Sequence, residues 1–448
     1  MVDENSCTLV SAKEKLAFGM GSLGNNFIYG LMATYLMVFY TDYWQIAPAL
    51  VGTIFFVGRI WDAANDPIMG MIVDNTHTRW GKFRPYLLFV PFVMGGATVA
   101  CFWGPDLGDS EKIVWAFVTY IIWGMSFTAM DIPYWSLTAA ITQDTRERTS
   151  LIMIPRTLAA VGNIVINVVT LPVVAFLAFR SDIEGWRYYA VIVAVLCIVL
   201  TLITFFNVKE RVVVKREKRQ NLKDVWQLLK ENKPLQYLIL SMLFFEAIFT
   251  IKLIFPIYYL KYNYQSESLI PLFMGLYAVV AIPGFLLAPV FTRRFGKKKV
   301  AIAAGFVICA TSVGLYFFGY PNLPALLVLS AVWAFADGSA NVARMSMLAD
   351  TVEYGQWKTG NRSEGMVFSA NIFKTKLASA IGGGIGGFVL SYIHYVPNQA
   401  QGTGTLEGIH LFFTLIPGIL GMAALIPLFY YDLSEEKFAA ILNDLKNE

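Results

Sequence analysis

Residues 190–206 read AVIVAVLCIVLTLITFF, a run without a single charged side chain. Such a run is typical of a helix that crosses a lipid bilayer. The rest of the chain has the same character, because 56% of its 448 residues are hydrophobic, only 15% are charged and the mean hydropathy is +0.56. Soluble proteins carry about 25% charged residues. The composition therefore excludes a soluble enzyme.

A bilayer core about 30 Å thick requires about 20 apolar residues per helix, and twelve stretches of the chain are of that order. They are residues 16–40, 47–73, 86–104, 113–140, 153–178, 188–207, 235–260, 269–291, 300–318, 324–349, 365–393 and 409–431. We predict an all-α polytopic membrane protein, with twelve transmembrane helices arranged in two six-helix bundles.

Basic residues lie mostly on one side of the predicted membrane. Of the 35 lysines and arginines, 25 fall in the termini and in the connections on the same side, and four fall in the opposite connections. Because positively charged segments stay in the cytoplasm, we expect both termini to be cytoplasmic. The net charge is +4, and the run KREKR at 215–219 is typical of a cytoplasmic anchor rather than of a nucleic-acid site.

The two halves of the sequence resemble each other in the connections between spans. TRWGKFRP at 78–85 follows the second span, as TRRFGKKK at 292–299 follows the eighth. QDTRER at 143–148 follows the fourth span, as ADTVEYG at 349–355 follows the tenth. These echoes indicate a duplicated six-helix unit, as in transporters built from parallel repeats. We predict an N-terminal bundle at 1–207, a cytoplasmic linker at 208–234 and a C-terminal bundle at 235–448.

The second span carries two acidic residues in GRIWDAANDPIMG, residues 58–70. Asp62 and Asp66 are four residues apart and therefore lie on one helical face, with Asn65 alongside. Two carboxylates and an amide oxygen suit Na⁺, Li⁺ or H⁺. An internal ion-pair ladder with Arg59 is the alternative, but one arginine cannot neutralise two acids. We therefore predict a cation site in the N-terminal bundle.

The fourth span contains TAMDIPYWSL at 128–137, in which Asp131 and Trp135 share one helical face. A carboxylate that accepts hydroxyl groups, beside an indole that stacks on a C–H face, is typical of a sugar site. The alternative is an interfacial tryptophan next to an ion-paired aspartate.

Further charged residues occur at membrane depth in the second half, where a charge costs at least about 2.5–3.5 kcal/mol. They are Glu246, Lys252, Asp337, Arg344, Lys374 and Lys376. Spacing alone does not assign roles to them, and an ion pair between helices fits Glu246 and Lys252 as well as a site does. We expect most of these groups to line a hydrated cavity. No cysteine or histidine has the spacing of a metal or redox centre, so we expect no cofactor.

Several long segments are similar to the glycoside–pentoside–hexuronide:cation symporters, a branch of the major facilitator superfamily. They are KLAFGMGSLGNNF (15–27), YTDYW (40–44), GRIWDAANDPIMG (58–70), RWGKFRP (79–85), VTYIIWGMSFTAMDIPYWSL (118–137), DTRER (144–148), ADTVEYG (349–355), YVPNQAQ (395–401) and LEGI (406–409). The resemblance covers nearly the whole chain, and it implies the major facilitator fold and cation-coupled sugar transport.

The resemblance also implies roles for individual residues. The implied cation site consists of Asp62, Asn65, Asp66 and Thr128. The implied sugar site consists of Asp131, Trp135, Arg156 and Lys376, of which Lys376 bridges towards the acids. Three further sugar-site positions depart from a melibiose-transporting member of the family, with Asn26 for Asp, Asn341 for Trp and Asn371 for Gln. These departures leave the identity of the sugar open.

We expect a secondary active transporter, not an enzyme, that couples Na⁺, H⁺ or Li⁺ to uptake of a glycoside or disaccharide across the cytoplasmic (inner) membrane by alternating access. A hexuronide or glucuronide symporter and an uncoupled facilitator are alternatives. A membrane-embedded sugar transferase is a distant one, since no nucleophile or metal constellation is present. The expected partners are a small sugar, a monovalent cation and the bilayer, without nucleic acid, and the expected functional unit is a monomer.

Overall fold

The computed structural model describes residues 10–142, 145–211, 231–360 and 364–447. Its helices are α1 (Ala12–Val38), α2 (Pro48–Asn75), α3 (Arg84–Cys101), α4 (Asp109–Ile141), α5 (Thr145–Leu177), α6 (Asp182–Asn207), α7 (Lys233–Tyr258), α8 (Leu269–Phe295), α9 (Lys297–Phe318), α10 (Leu323–Thr359), α11 (Glu364–Tyr392), α12 (Thr403–Phe413), α13 (Leu415–Tyr430) and α14 (Glu435–Asn447). The prediction of an all-α polytopic membrane protein is confirmed.

Within the described ranges, nine stretches are long and apolar enough to cross a bilayer by composition alone, and α12 with α13 forms one of them. The helix α1 falls below that mark, and it contains the polar pair Asn25 and Asn26. The helices α2 and α11 carry charged residues, Asp62 and Asp66 on α2 and Lys374 and Lys376 on α11. Because a charge at membrane depth is costly, such residues are expected to face the interior of a bundle.

Two helices differ from the predicted spans. The tenth span was predicted to end at residue 349, but α10 continues to Thr359 and is closed by Gly360, whose φ of 72° suits glycine. The twelfth span is interrupted at Thr414, where α12 ends and α13 begins. The Thr414 hydroxyl donates to the carbonyl of His410 at 2.5 Å and so occupies an acceptor of the helical ladder.

The chain forms two compact units, Met1–Glu217 and Lys218–Glu448. In the first unit α1 packs against α5 and α6, α2 against α4, and α3 against α4 and α6. The second unit has the same neighbours, with α7 against α11 and α13, α8 against α10, and α9 against α10 and α13. The same pattern of neighbouring helices in both units is typical of a duplicated six-helix unit. KREKR at 215–219, most of the predicted linker, and Gln143 and Asp144 lie outside the described residues.

A π-helical turn ends the first helix of each unit, at Phe39–Tyr43 after α1 and at Tyr259–Asn263 after α7. Each turn leads to a glutamine with positive φ, 59° at Gln45 and 52° at Gln265. A non-glycine residue in this region is uncommon, so its recurrence at the same place supports duplication. Alignment of the two turns pairs α1 with α7 residue by residue.

The connection between the second and third helices is also repeated. The glycines Gly81 and Gly296 lie there with φ of 109° and 85°. In the first unit the Glu210 carboxylate accepts the backbone N–H groups of Lys82, Phe83 and Arg84 at 2.9, 2.8 and 2.9 Å. In the second unit the Glu435 carboxylate accepts the Lys297 N–H at 2.7 Å. Each carboxylate therefore caps the start of the third helix of its unit.

We predict that Glu210→Gln lowers stability, because the amide loses the negative charge and turns an NH₂ group towards one of the three N–H groups that the carboxylate accepts. Hydrogen bonds to a charged group contribute about 1.5–3 kcal/mol, so the apparent melting temperature should fall by several degrees. The matched control is Glu435→Gln, which removes one such cap in the second unit and should have a smaller effect. Thermal unfolding of both purified variants measures this, and equal effects would contradict the assigned difference.

Candidate functional site

The four residues of the implied cation site lie on two neighbouring helices, α2 and α4. On α2, Asp62 and Asn65 are buried and Asp66 is half-buried. On α4, Thr128 is buried and its hydroxyl donates to Asp66 Oδ1 at 3.1 Å. Helical spacing on α2 and packing of α4 against it thus bring a hydroxyl and a carboxylate of this set into direct contact.

An ion pair and a close helix contact determine the position of the Asp62 carboxylate. Arg59, one turn earlier on α2, pairs with it through Nη1 and Oδ2 at 3.4 Å. Gly124 of α4 faces the other oxygen so closely that a methyl group on its Cα would lie 2.5 Å from Asp62 Oδ1. A larger residue than glycine at position 124 would therefore push the carboxylate away from its place.

The chemistry of this cluster suits a monovalent cation. Arg59, Asp62 and Asp66 together carry a formal charge of −1 when all are ionised, which one Na⁺, Li⁺ or H⁺ would neutralise. The other groups, Asn65 and Thr128, offer neutral oxygens, and hard cations prefer oxygen ligands. In the described part of the chain no three His, Cys, Asp or Glu side chains converge as they would around a structural metal ion.

The implied sugar residues of the first unit begin one turn further along α4. Asp131 Oδ1 accepts hydrogen bonds from Trp135 Nε1 at 3.1 Å and from Asn25 Nδ2 at 3.4 Å. The guanidinium carbon of Arg156, on α5, lies 4.7 Å from the centre of the Trp135 ring. The structure thus brings Asp131, Trp135 and Arg156 together.

The Asn26 side chain bonds to Ser22 and Asn163. Its Nδ2 donates to the Ser22 carbonyl at 2.9 Å, and its Oδ1 accepts from Asn163 Nδ2 of α5 at 3.1 Å. Its neighbour Asn25 contacts Asp131 instead. Asn26 therefore lies at the α1–α5 contact, beside the implied sugar residues, and is held there by Asn163.

The remaining implied sugar residues lie in the second unit. Asn341 of α10 is exposed, Asn371 of α11 is 8% exposed, and Lys376 of α11 is half-buried. Asn371 Oδ1 has no hydrogen-bond partner among the described residues. The predicted bridge from Lys376 towards the acids of the first unit stays a prediction.

Sequence reasoning missed three residues that hold this site, namely Asn25, Gly124 and Asn163. A signal for Gly124 existed, since it precedes Thr128 by one helical turn and so shares its face. Asn163 is a polar residue in an apolar span, a second usable signal. Nothing in the sequence distinguishes Asn25 from Asn26, because their difference depends on how α1 is rotated against α4.

The chain matches the family described as MFS/sugar transport protein over residues 17–435. It is 34% identical to the isoprimeverose transporter of Lactiplantibacillus pentosus, over 97% of this chain and 92% of that protein. It is 31% identical to a putative sulfoquinovose importer of Salmonella typhimurium, over 97% and 93%. A solved structure of a bacterial homologue of the human lysosomal transporter Spinster matches with a TM-score of 0.66 and 14% identity, over 96% of this chain and 99% of that one.

We predict that Gly124→Ala weakens the response to Na⁺, because the added methyl displaces Asp62 Oδ1. Disturbing a group that positions a metal ligand typically costs about 10–100-fold in affinity. The measurement is the melting-temperature shift of the purified variant as Na⁺ is titrated. The matched control is Gly96→Ala on α3, where a methyl meets no atom within 4 Å. An unchanged Na⁺ response in Gly124→Ala would contradict the role given to Asp62.

Proposed function

Because the chain belongs to the MFS/sugar transport protein family, we propose that it is a symporter that couples Na⁺, or alternatively Li⁺ or H⁺, to the uptake of a glycoside. The family membership makes it a multi-pass membrane transporter and not an enzyme, which removes the sugar transferase from consideration. The cation and the class of sugar are the proposed parts. We place the protein in the cytoplasmic membrane with both termini in the cytoplasm.

One observation carries this proposal: α4 holds a member of each site one helical turn apart. Thr128 bonds to Asp66 among the cation candidates, and Asp131 bonds to Trp135 among the sugar candidates and to Asn25 of α1. Residues three apart on a helix lie on the same face, about 5–6 Å between Cβ atoms. A cation that draws Thr128 and Asp66 together therefore acts on the turn that presents Asp131.

Coupling follows from this arrangement if the cation binds first. The cation neutralises the −1 charge of the α2 cluster and orders the α4 turn. Sugar binding then loses less free energy in ordering Asp131. A ligand shifts a conformational equilibrium only by its differential affinity for the two states. Sugar and cation bound together would then favour the transition that exposes the sites to the other side of the membrane.

The isoprimeverose transporter, at 34% identity, supports a glycoside as substrate, and the putative sulfoquinovose importer, at 31%, keeps an anionic sugar in consideration. A thermal-shift screen of isoprimeverose, xylose, methyl glucoside and methyl glucuronide, each in Na⁺, Li⁺ or K⁺, separates these cases. We expect a sugar-induced rise in melting temperature that is larger in Na⁺ or Li⁺ than in K⁺, because a ligand that binds the folded state stabilises it.

Transport itself is tested by counterflow in liposomes that contain the purified protein. A symporter accumulates sugar when a Na⁺ gradient is imposed, and an uncoupled facilitator exchanges sugar at the same rate with and without the gradient. Sugar exchange that is indifferent to Na⁺, Li⁺ and H⁺ gradients would contradict the proposed coupling and leave a facilitator.

We predict that Asp66→Asn loses the response to the cation and that Asp131→Asn loses sugar binding. Asp66→Asn should abolish Na⁺-stimulated sugar binding and gradient-driven accumulation, and weak cation-independent exchange should survive because the sugar contacts remain. Asp131→Asn should remove sugar binding and keep part of the Na⁺-induced stabilisation. Sugar and cation change each other's affinity by the same factor, but each substitution also removes the direct contacts of one ligand only.

Na⁺ and sugar binding are measured separately on the two purified variants. If both acids merely hold helices together, both variants should lose stability alike, since removal of one partner leaves a buried charge. Equal loss of both ligands in both variants, accompanied by poor folding, would contradict the assignment of two sites.

A further inference from the structure

The second unit contains a cluster of four charged residues that the proposed mechanism does not use. Lys374 Nζ of α11 donates to Glu246 Oε2 of α7 at 2.9 Å. Arg344 Nη2 lies 3.6 Å from Asp337 Oδ1, both on α10. Glu246 interacts electrostatically with both Asp337 and Arg344, so the four side chains form one group between α7, α10 and α11.

The two acids of this cluster occupy positions that correspond to implied sugar residues of the first unit. Alignment on the π-helical turns pairs Phe39 with Tyr259 and therefore Asn26 with Glu246. Alignment on the shared Asp–Thr pairs at 144–145 and 350–351 places Asp337 at the position of Asp131.

The contacts are repeated as well as the positions. In the first unit Asn26 of α1 accepts a hydrogen bond from Asn163 of α5 at 3.1 Å. In the second unit the corresponding Glu246 of α7 accepts one from Lys374 of α11 at 2.9 Å. In both units, therefore, a side chain of the fifth helix donates a hydrogen bond to a side-chain oxygen of the first helix.

The cation site is not repeated. α8 is the counterpart of α2, and its residues, Leu269–Phe295, include no Asp, Glu, Asn or Gln. The counterpart of α2 in the second unit therefore offers no carboxylate or amide ligand, whereas Glu246 and Asp337 lie at the positions of Asn26 and Asp131. Acids at the positions of two implied sugar residues, without cation ligands on α8, point to recognition of the sugar by the second unit.

Exposure shows which groups of the cluster are open to a ligand. The basic side chains are buried, with Arg344 4% and Lys374 2% exposed, whereas Asp337 is 16% and Glu246 29% exposed. Each carboxylate uses one oxygen towards its base, and the described residues place no partner on the other. Because both acids lie midway along spanning helices, their open oxygens need a polar environment.

Two buried polar atoms on α10 and α11 have unused hydrogen-bonding capacity. Arg344 is buried, yet its Nη1 has no hydrogen-bond partner among the described residues. Asn371, one turn before Lys374 on α11, leaves its Oδ1 without a described partner. Buried polar groups in proteins are normally satisfied, so Arg344 Nη1 and Asn371 Oδ1 are available to bond a polar ligand.

We propose that Glu246, Asp337 and Arg344 join Asn371, an implied sugar residue, in a second group of ligands for sugar hydroxyls, here called the second site. This site is carried by the C-terminal bundle and selects an uncharged polyhydroxylated group. This inference rests on the proposed transport of a glycoside. Carboxylate oxygens only accept hydrogen bonds, and sugar hydroxyls supply the donors. A uronate or sulfonate group has no hydrogen to donate to the open carboxylate oxygens, and each of the two bases that could attract it is already paired with an acid.

The test compares methyl glucoside with methyl glucuronide, which differ only in the group at C6, on the purified full-length protein. We expect the wild-type protein to bind the glucoside at least about tenfold more tightly, since a hydrogen bond to a charged group contributes about 1.5–3 kcal/mol. Asp337→Asn should weaken glucoside binding by about tenfold or more, leave glucuronide binding equal or tighter, and bring the ratio of the two Kd values towards one.

Glu246 requires a paired change, because Glu246→Gln alone leaves the Lys374 ammonium buried without its partner. The double variant Glu246→Gln/Lys374→Met removes both charges and should reduce the Kd ratio in the same way. The matched control is Asp350→Asn, which breaks the ion pair of Asp350 with Lys297 at 2.6 Å in the same unit. It should lower the melting temperature and leave the Kd ratio unchanged.

The outcomes separate this inference from the function on which it depends. Wild-type protein that binds neither these glucosides nor isoprimeverose would contradict the proposed function. Neutral sugars that bind the wild type and both variants with the same Kd ratio would overturn the second site alone and leave the cluster as helix packing. Tighter binding of the glucuronide than of the glucoside by the wild type would overturn the selection for an uncharged group.

Discussion

The turn of α4 from Thr128 to Asp131 is the constraint on which the proposed site depends. The two side chains point from one helical face, and each is tied to a different helix, Thr128 to Asp66 of α2 and Asp131 to Asn25 of α1. Within this turn the Ala129 carbonyl has no backbone donor, because Pro133 lacks an N–H. In our proposal a change at Thr128 still affects Asp131, because the two residues are three apart on one helix.

Charge balance distinguishes the two units that the duplication produced. Around α2, one arginine and two acids sum to −1, and in our proposal a bound cation adds the opposite charge. Around α7, Glu246 and Asp337 are balanced by Lys374 and Arg344, and no further charge is required. A buried uncompensated charge is costly, whereas a balanced and partly open group accepts a neutral ligand. In our proposal this difference assigns ion coupling to the first unit and sugar recognition to both.

Glycine determines how closely the helices approach at these groups. Gly124 lets the Asp62 carboxylate lie against the backbone of α4, and Gly382 of α11 faces Thr250 of α7, where a methyl would lie 2.5 Å from the threonine side chain. In a bilayer, small residues allow such close contact between helices. The same property that permits tight packing thus brings polar side chains of neighbouring helices within hydrogen-bond distance.

The sequence by itself determined the class of fold, because a bilayer of known thickness demands long apolar helices, and it determined the two-unit plan through repeated connections. It also predicted the shared faces of Asp62 with Asp66 and of Asp131 with Trp135, since helical spacing is a local property. It could not decide that Asn25 rather than Asn26 contacts Asp131, that Gly124 lies against Asp62, or that Glu246 pairs with Lys374. Those contacts join different helices, and the rotation of each helix about its axis is decided only when all of them pack together.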